Sequence, residues 1–326
     1  MTGCNPDAVE LERAIWYKGD RREMDWKGSL SDIFDFEETE KMGLRKGAVF
    51  YFNDWVDEKT ISILEKIVEQ FLVLTQAQFT RKCNGGSDVY VNRRKIRGGW
   101  KKVFHQTLDN FDDTNILILD NCTPQQLQTV YTRIKPTNYR VLSRNYFVYS
   151  YLYFQCPLDI EWSAVYQFME YVNSELTVHY ASAGYEMAFN ALCPKSDGYG
   201  VRALKQLNYV NSEYTEWDDL CLSTRFGVPC PNFIQVLYPD LVQKLSSEIP
   251  KELHPKLVNS NLFLDILDRE AEKMVEPALE QITARYQKLY CLLKPVLVSP
   301  ERSIFMKKED WEKRLKRFEE IGSWKI

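Results

Sequence analysis

The sequence predicts an α+β fold: an α/β sandwich with a mostly antiparallel sheet packed by amphipathic helices, in a ferredoxin-like strand–helix–strands–helix–strand order. Three observations predict it. GAVFYFN, from Gly47, is a continuous apolar run bounded by turn residues, as a buried strand is. After it, Leu64, Ile67, Val68, Phe71 and Leu72 fall on one helical face, so a helix spans about 57–75, with Asp54 or Asn53 available to cap it. A second helix follows Pro157, with Asp159 as N-cap and Val165, Phe168, Met169 and Val172 as its apolar face, before ELTVHYASAGYEMAF returns to strand character.

The remaining elements fill in around these. Residues 78–103 carry the NGG and RGG turn signals around the short alternating run VYV, which predicts a hairpin or an ordered loop. NILILD is a further apolar strand, TPQQLQTVYTRI is open between states, and Tyr139 to Phe154 favours one long strand or a hairpin. Asn232 to Leu237 reads as a strand leading into a helix over 239–245. A helical pattern then crosses 261–293, kinked or divided at Pro277. Trp311, Leu315 and Phe318 mark a last helix in a charged segment. No flexible linker is visible, so the expectation is an N-terminal extension over 1–44 and a single interwoven domain over 45–326.

Composition excludes several classes. Apolar residues are 44% and charged residues 27%, ordinary globular values that give a sizeable core without metals or disulfides. A formal charge of −4 favours neither nucleic acid nor membrane as a partner. No apolar run approaches the length of a membrane span, and MTGCNPDAVELERA lacks the basic and apolar regions of a secretory signal, so a cytoplasmic location is expected. The eight cysteines form no CxxC pair; zinc sites need closely spaced ligands, so free thiols and no metal or cofactor are expected.

Two charge clusters are the candidate surfaces. Arg81, Lys82, Arg93, Arg94, Lys95, Arg97, Lys101 and Lys102 are opposed only by Asp88, with Tyr90 and Trp100 interleaved. Such a segment suits a soluble hairpin guarding a sheet edge, a protein partner, or the phosphates and bases of nucleic acid. Opposite in sign, Glu213, Glu216, Asp218 and Asp219 surround Tyr214 and Trp217, and Asp109, Asp112 and Asp113 surround Phe111. Aromatics anchor an interface and carboxylates steer it. No nucleophile elbow, zinc-protease pair, P-loop or dinucleotide fingerprint is present, and His105, His179 and His254 sit in no catalytic spacing. The chain is therefore expected not to be an enzyme.

The segments GAVFYFNDW, ASAGYEMAFN, WDDLCLSTRFGVPCPNFIQVLYPDLVQKL and LKPVLVSPERSIFMKKEDWEKRLKRFE occur in this order over about residues 45–320. In that arrangement the protein resembles the type VI secretion immunity family, long catalogued as a domain of unknown function. The resemblance rests on the small-residue strand around Ala183, Gly184 and Tyr185, on NFIQVL before a short helix, and on the terminal Trp311–Phe318 motif. It implies an antitoxin-like protein that binds and neutralises a cognate effector toxin, possibly a nuclease, in competition between bacteria. The anchors it suggests are Tyr214, Glu216, Trp217, Asp218 and Asp219, with a homodimer also open. The alternative reading is a nucleic-acid-binding protein using the basic 81–102 hairpin.

Overall fold

The computed structural model describes residues 42–84, 93–109, 116–137, 149–190, 192, 210–212, 227–245, 248–271, 273–298 and 308–319. The expected N-terminal extension lies outside the described residues as far as residue 41. The apolar run forms β1 (Met42–Phe52), followed by α1 (Glu58–Thr75). The basic segment supplies β2 (Arg81–Asn84), β3 (Arg94–Lys95) and α2 (Trp100–Leu108). Then come β4 (Leu117–Asp120), β5 (Tyr131–Lys135), β6 (Ser150–Cys156), α3 (Trp162–Glu175) and β7 (Val178–Phe189). They are followed by β8 (Val210–Ser212), β9 (Ile234–Leu237) and α4 (Pro239–Val242). The C-terminal part holds β10 (Lys256–Val258), β11 (Asn261–Asp265), β12 (Asp268–Glu270), β13 (Lys273–Val275), α5 (Leu279–Leu293) and α6 (Lys308–Glu319).

Eleven of these strands form one sheet in the order β10-β11-β9-β7-β1-β6-β5-β4-β2-β3, with β8 alongside β7. Its centre, β7-β1-β6-β5, is antiparallel throughout and places the fourth, first, third and second core strands side by side. That is the ferredoxin-like order, with α1 leaving β1 and α3 joining β6 to β7. In the basic segment β2 pairs antiparallel with β3 at one end of the sheet, while Gly85, Gly86 and the VYV run that predicted a hairpin or an ordered loop lie outside the described residues.

The helices cover one sheet face through aromatic side chains. Phe168 of α3 lies 5.1 Å from Phe154, 6.1 Å from Phe50 and 5.9 Å from Phe71 of α1, ring centre to ring centre. The opposite face is also buried but is polar. Arg45, Arg133, Gln155, Ser182, Glu186 and Gln235 lie there among Tyr51, Tyr131, Tyr151, Tyr153 and Tyr180. Strands buried on both faces read as unbroken apolar runs, which is why β1 lacks a clean alternation.

Several local expectations are corrected. The cap of α1 is Asp57, whose carboxylate accepts the Thr60 amide at 2.8 Å. Asp54 instead accepts the amide and hydroxyl of Thr177, tying the start of the helix to that of β7. At α3 the position before the helix is Glu161, with no side-chain cap, so Asp159 does not cap it. The helical pattern over 261–293 is strand in its first half: Leu262, Phe263 and Leu264 pair with β9, and helix begins only after Pro277. Asn259 and Ser260 both have positive φ (49° and 69°), which closes the two-residue hairpin between β10 and β11. Long-range pairing outweighs local periodicity there.

The small residues of β7 meet a close approach. Gly184 pairs with Gly47 across the strands, and a Cβ at Gly184 would fall 1.7 Å from Asn232 Oδ1. Asn232 is buried and reaches the Ser182 hydroxyl at 3.3 Å. Gly184→Ala is expected to cost about 1–3 kcal/mol through overpacking. Asn232→Ala in the same chain should recover part of that loss, as touching residues couple. Urea titration of the three variants measures it, and additive losses would refute the contact.

Candidate functional site

The anchors expected at Tyr214, Glu216, Trp217, Asp218 and Asp219 lie outside the described residues. The body fixes where their segment leaves and returns. It leaves from β8, whose Ser212 pairs in parallel with Met187 of β7. It returns at Gly227, where a Cβ would fall 1.9 Å from the Val296 carbonyl oxygen. Val228 donates to that carbonyl at 2.7 Å and accepts from the Val298 amide at 2.9 Å. Only glycine fits this clamp.

The basic cluster divides into structural and surface groups. Arg93 is buried and its Nε lies 3.0 Å from Asp120 of β4, which also accepts the Cys122 amide at 3.2 Å. The Arg81 guanidinium donates to the carbonyls of Cys122 and Arg93, at 2.7 and 3.4 Å. Lys101 pairs with Glu65 and Glu69 of α1. The remainder, Arg94, Lys95, Arg97 and Lys102, are exposed, and Lys82 is half-buried. Sequence reading grouped all eight; spacing alone does not separate a buried arginine from its exposed neighbours.

The three histidines are occupied in different ways. His105 Nδ1 lies 3.1 Å from Asp109 and Nε2 3.0 Å from Glu65. The bond to Asp109 raises its pKa, opposed by burial and aided by Glu65. Burial works to raise the Glu65 pKa, but hydrogen bonds from Lys101 and His105 outweigh it and hold the carboxyl below its ordinary value. Of the second acidic cluster, Asp109 is thus a partner of His105, while Phe111, Asp112 and Asp113 lie outside the described residues. His179 is stacked between Tyr149 and Tyr238, with ring centres 4.7 and 5.2 Å away. His254 sits in a left-handed turn with φ 45°.

A buried charged group escaped sequence reading. Lys46 on β1 is 5% exposed, lies 4.7 Å from the Trp162 ring centre and donates to the Ile160 carbonyl. Burial lowers its pKa, opposed mainly by Glu276. Glu276 in turn accepts from Trp162 Nε1 at 2.9 Å and from the Tyr185 hydroxyl. The group joins β1, α3, β7 and the segment before α5. Its only sequence signal was a lysine inside an apolar strand; Glu276 came from far along the chain. Next to it, burial pushes the Cys156 thiol up to about 12, so it is no ready nucleophile.

Cys83, Cys122, Cys156, Cys230 and Cys291 are free thiols, while Cys4, Cys193 and Cys221 lie outside the described residues. Among the described residues no cluster of three or more His, Cys, Asp or Glu side chains is placed to hold a metal ion, and no helix is long and apolar enough to cross a membrane. At the C-terminus Phe318 of α6 stacks on Tyr286 and Tyr290 of α5, at 5.9 and 5.8 Å, while the Trp311 side chain lies outside the described residues.

No protein-family model matches the chain, and no curated protein matches it. Among solved structures, the Pseudomonas aeruginosa T6SS protein PA0821 is similar over 98% of this chain and 94% of its own, with a TM-score of 0.64 and 13% sequence identity. The likeness is one of fold: an α+β architecture shared along nearly the whole chain.

Proposed function

We propose that this protein is an immunity protein that binds a cognate type VI secretion effector toxin in the cytoplasm and neutralises it without catalysis. The observation that carries the reading is the end-to-end fold likeness to a protein whose name places it in type VI secretion. The segment order from GAVFYFNDW to the terminal Trp311–Phe318 motif supports it independently. In this reading the acidic and aromatic residues Tyr214, Glu216, Trp217, Asp218 and Asp219 are the contact with the toxin. An aromatic anchor excludes water at the centre of such an interface, and carboxylates around it match a basic toxin cleft.

Co-expression with the toxin encoded by the adjacent gene tests the reading. Growth should be restored, and the two chains should co-purify. Trp217→Ala should weaken the complex by about 2 kcal/mol, roughly thirtyfold in Kd, as removal of an interface hot spot does. Growth arrest despite expression, with no complex formed, refutes the immunity role. An intact complex with unchanged Kd in Trp217→Ala would instead remove this segment from the interface.

A further inference from the structure

We propose that the sheet end formed by β3 and the turn into α2 is an electrostatic docking strip for an extended acidic segment of the protein partner; this deepens the immunity reading and rests on it. The strip consists of Arg94, Lys95, Arg97 and Lys102, flanked by Lys82. Among the described residues none of these five makes an ion pair, whereas neighbouring Lys101 is held by two carboxylates and Arg93 by Asp120. Some exposed lysines elsewhere on the body have partners, Lys273 with Glu161, Lys288 with Glu252 and Lys294 with Glu319, while Lys66, Lys244 and Lys251 have no ion pair among the described residues. Arg93 and Lys101 are thus neutralised within the fold, while Arg94, Lys95, Arg97, Lys102 and Lys82 have no ion-pair partner among the described residues.

Backbone geometry brings Lys102 to the turn after β3. Gly98 and Gly99 have φ of 82° and 86°, and this positive-φ pair carries the chain from β3 into α2. The Lys102 side chain then lies over Gly98, where its Cδ is 3.2 Å from the position a Cβ would take. Lys102 therefore sits at the turn that follows Arg97 in the chain. β3 is the end strand of the sheet, paired with β2 on one side and with no described strand on the other. An open strand edge offers backbone donors and acceptors to another extended polypeptide.

The same geometry favours an acidic polypeptide over nucleic acid. A phosphate backbone has no ladder of amides and carbonyls to offer a strand edge. Single-stranded nucleic acid is held by exposed aromatic platforms. Trp100, the described aromatic closest in sequence to the strip, packs edge-on against Phe79 and Phe104, with ring centres 6.4 and 5.9 Å away. It serves the core instead. β3 stands six strands from β7, beside which the acidic segment leaves the body, roughly 30 Å at the usual strand spacing. A positively charged strip speeds the capture of an acidic partner. The strip's role is then in association, while the aromatic anchor acts on dissociation.

Stopped-flow binding of the full chain to the toxin domain encoded by the adjacent gene reads this directly. The triple variant Arg94→Glu, Lys95→Glu, Arg97→Glu should slow association about tenfold or more at low salt, with the dissociation rate little changed. The difference should vanish as salt screens the charges. The neutral pair Arg94→Gln, Arg97→Gln should give a smaller shift in the same direction, and serves if the triple variant loses its native circular dichroism. An unchanged association rate in both variants overturns the strip while leaving the immunity reading in place. Salt-steep binding of a short DNA duplex, lost in the variants while toxin association is unaffected, overturns it in favour of nucleic acid. Failure of the unmodified chain to bind the toxin removes the immunity reading and the strip with it.

Discussion

Asp120→Ala is expected to destabilise the fold by about 3–5 kcal/mol, because it removes the buried carboxylate that lies 3.0 Å from the buried Arg93 guanidinium. The side chains of Asp120 and Arg93 are each 2% exposed, so water cannot take over the solvation. The carboxylate also accepts the Cys122 amide and lies 3.1 Å from the Cys122 sulfur, and both contacts go with it. Folded domains are stable by only about 5–15 kcal/mol, so such a loss is a large share of the total. Urea denaturation should show a lower midpoint with an unchanged slope. Replacing both partners by apolar residues, Arg93→Met with Asp120→Leu, should recover most of the loss, since a buried pair is worth little beyond its own mutual satisfaction. A midpoint for Asp120→Ala within error of the unmodified chain would show that the pair is not held as described.

That pair also bears on the basic strip, because Arg93 directly precedes the two residues of β3. Neutralising Arg93 together with its neighbours would confuse unfolding with loss of a surface. The charge-reversal experiment accordingly spares it.

Phe168→Ala is the second change with a large expected effect, about 3–5 kcal/mol, from lost burial and the cavity left behind. Phe168 is 7% exposed, and its ring joins α3 to the sheet through Phe50 and Phe154 and to α1 through Phe71. These rings meet edge-on or tilted, the arrangements the aromatic quadrupole favours. The surrounding strands are held in register on both sides, so the site has little freedom to collapse into the cavity. Phe168→Leu should lose less, since it keeps most of the volume. Thermal unfolding of both variants checks the order; equal stability of Phe168→Ala and the unmodified chain would deny that this cluster couples helices to sheet.

How much of this was legible beforehand depends on the range of the cause. β1, α1, α3 and β7 could be read from the sequence because strand runs and helical faces are written in residues that lie close together. Gly184 could be marked as a place of close approach for the same reason, though not that Asn232 would be what approaches. The candidate site was legible only in part. The basic segment announced itself by composition, yet Arg81, Arg93 and Lys101 turned out to be spent on Cys122, Asp120 and the α1 carboxylates. The buried group of Lys46, Trp162, Tyr185 and Glu276 left almost no trace, since its members come from four separate parts of the chain.

By itself, then, the sequence determined the α+β class, the strand–helix–strands–helix–strand order and the ordinary globular character of the chain. Periodicity and turn chemistry act over a few residues, and those features need nothing more. Only the tertiary structure decided that 261–265, 268–270 and 273–275 would be strands, that Asp57 would cap α1, and which cations would be buried and which exposed. Each of those outcomes depends on which distant strand or carboxylate arrives alongside, and a pairing across the sheet is set by the packing of the whole core.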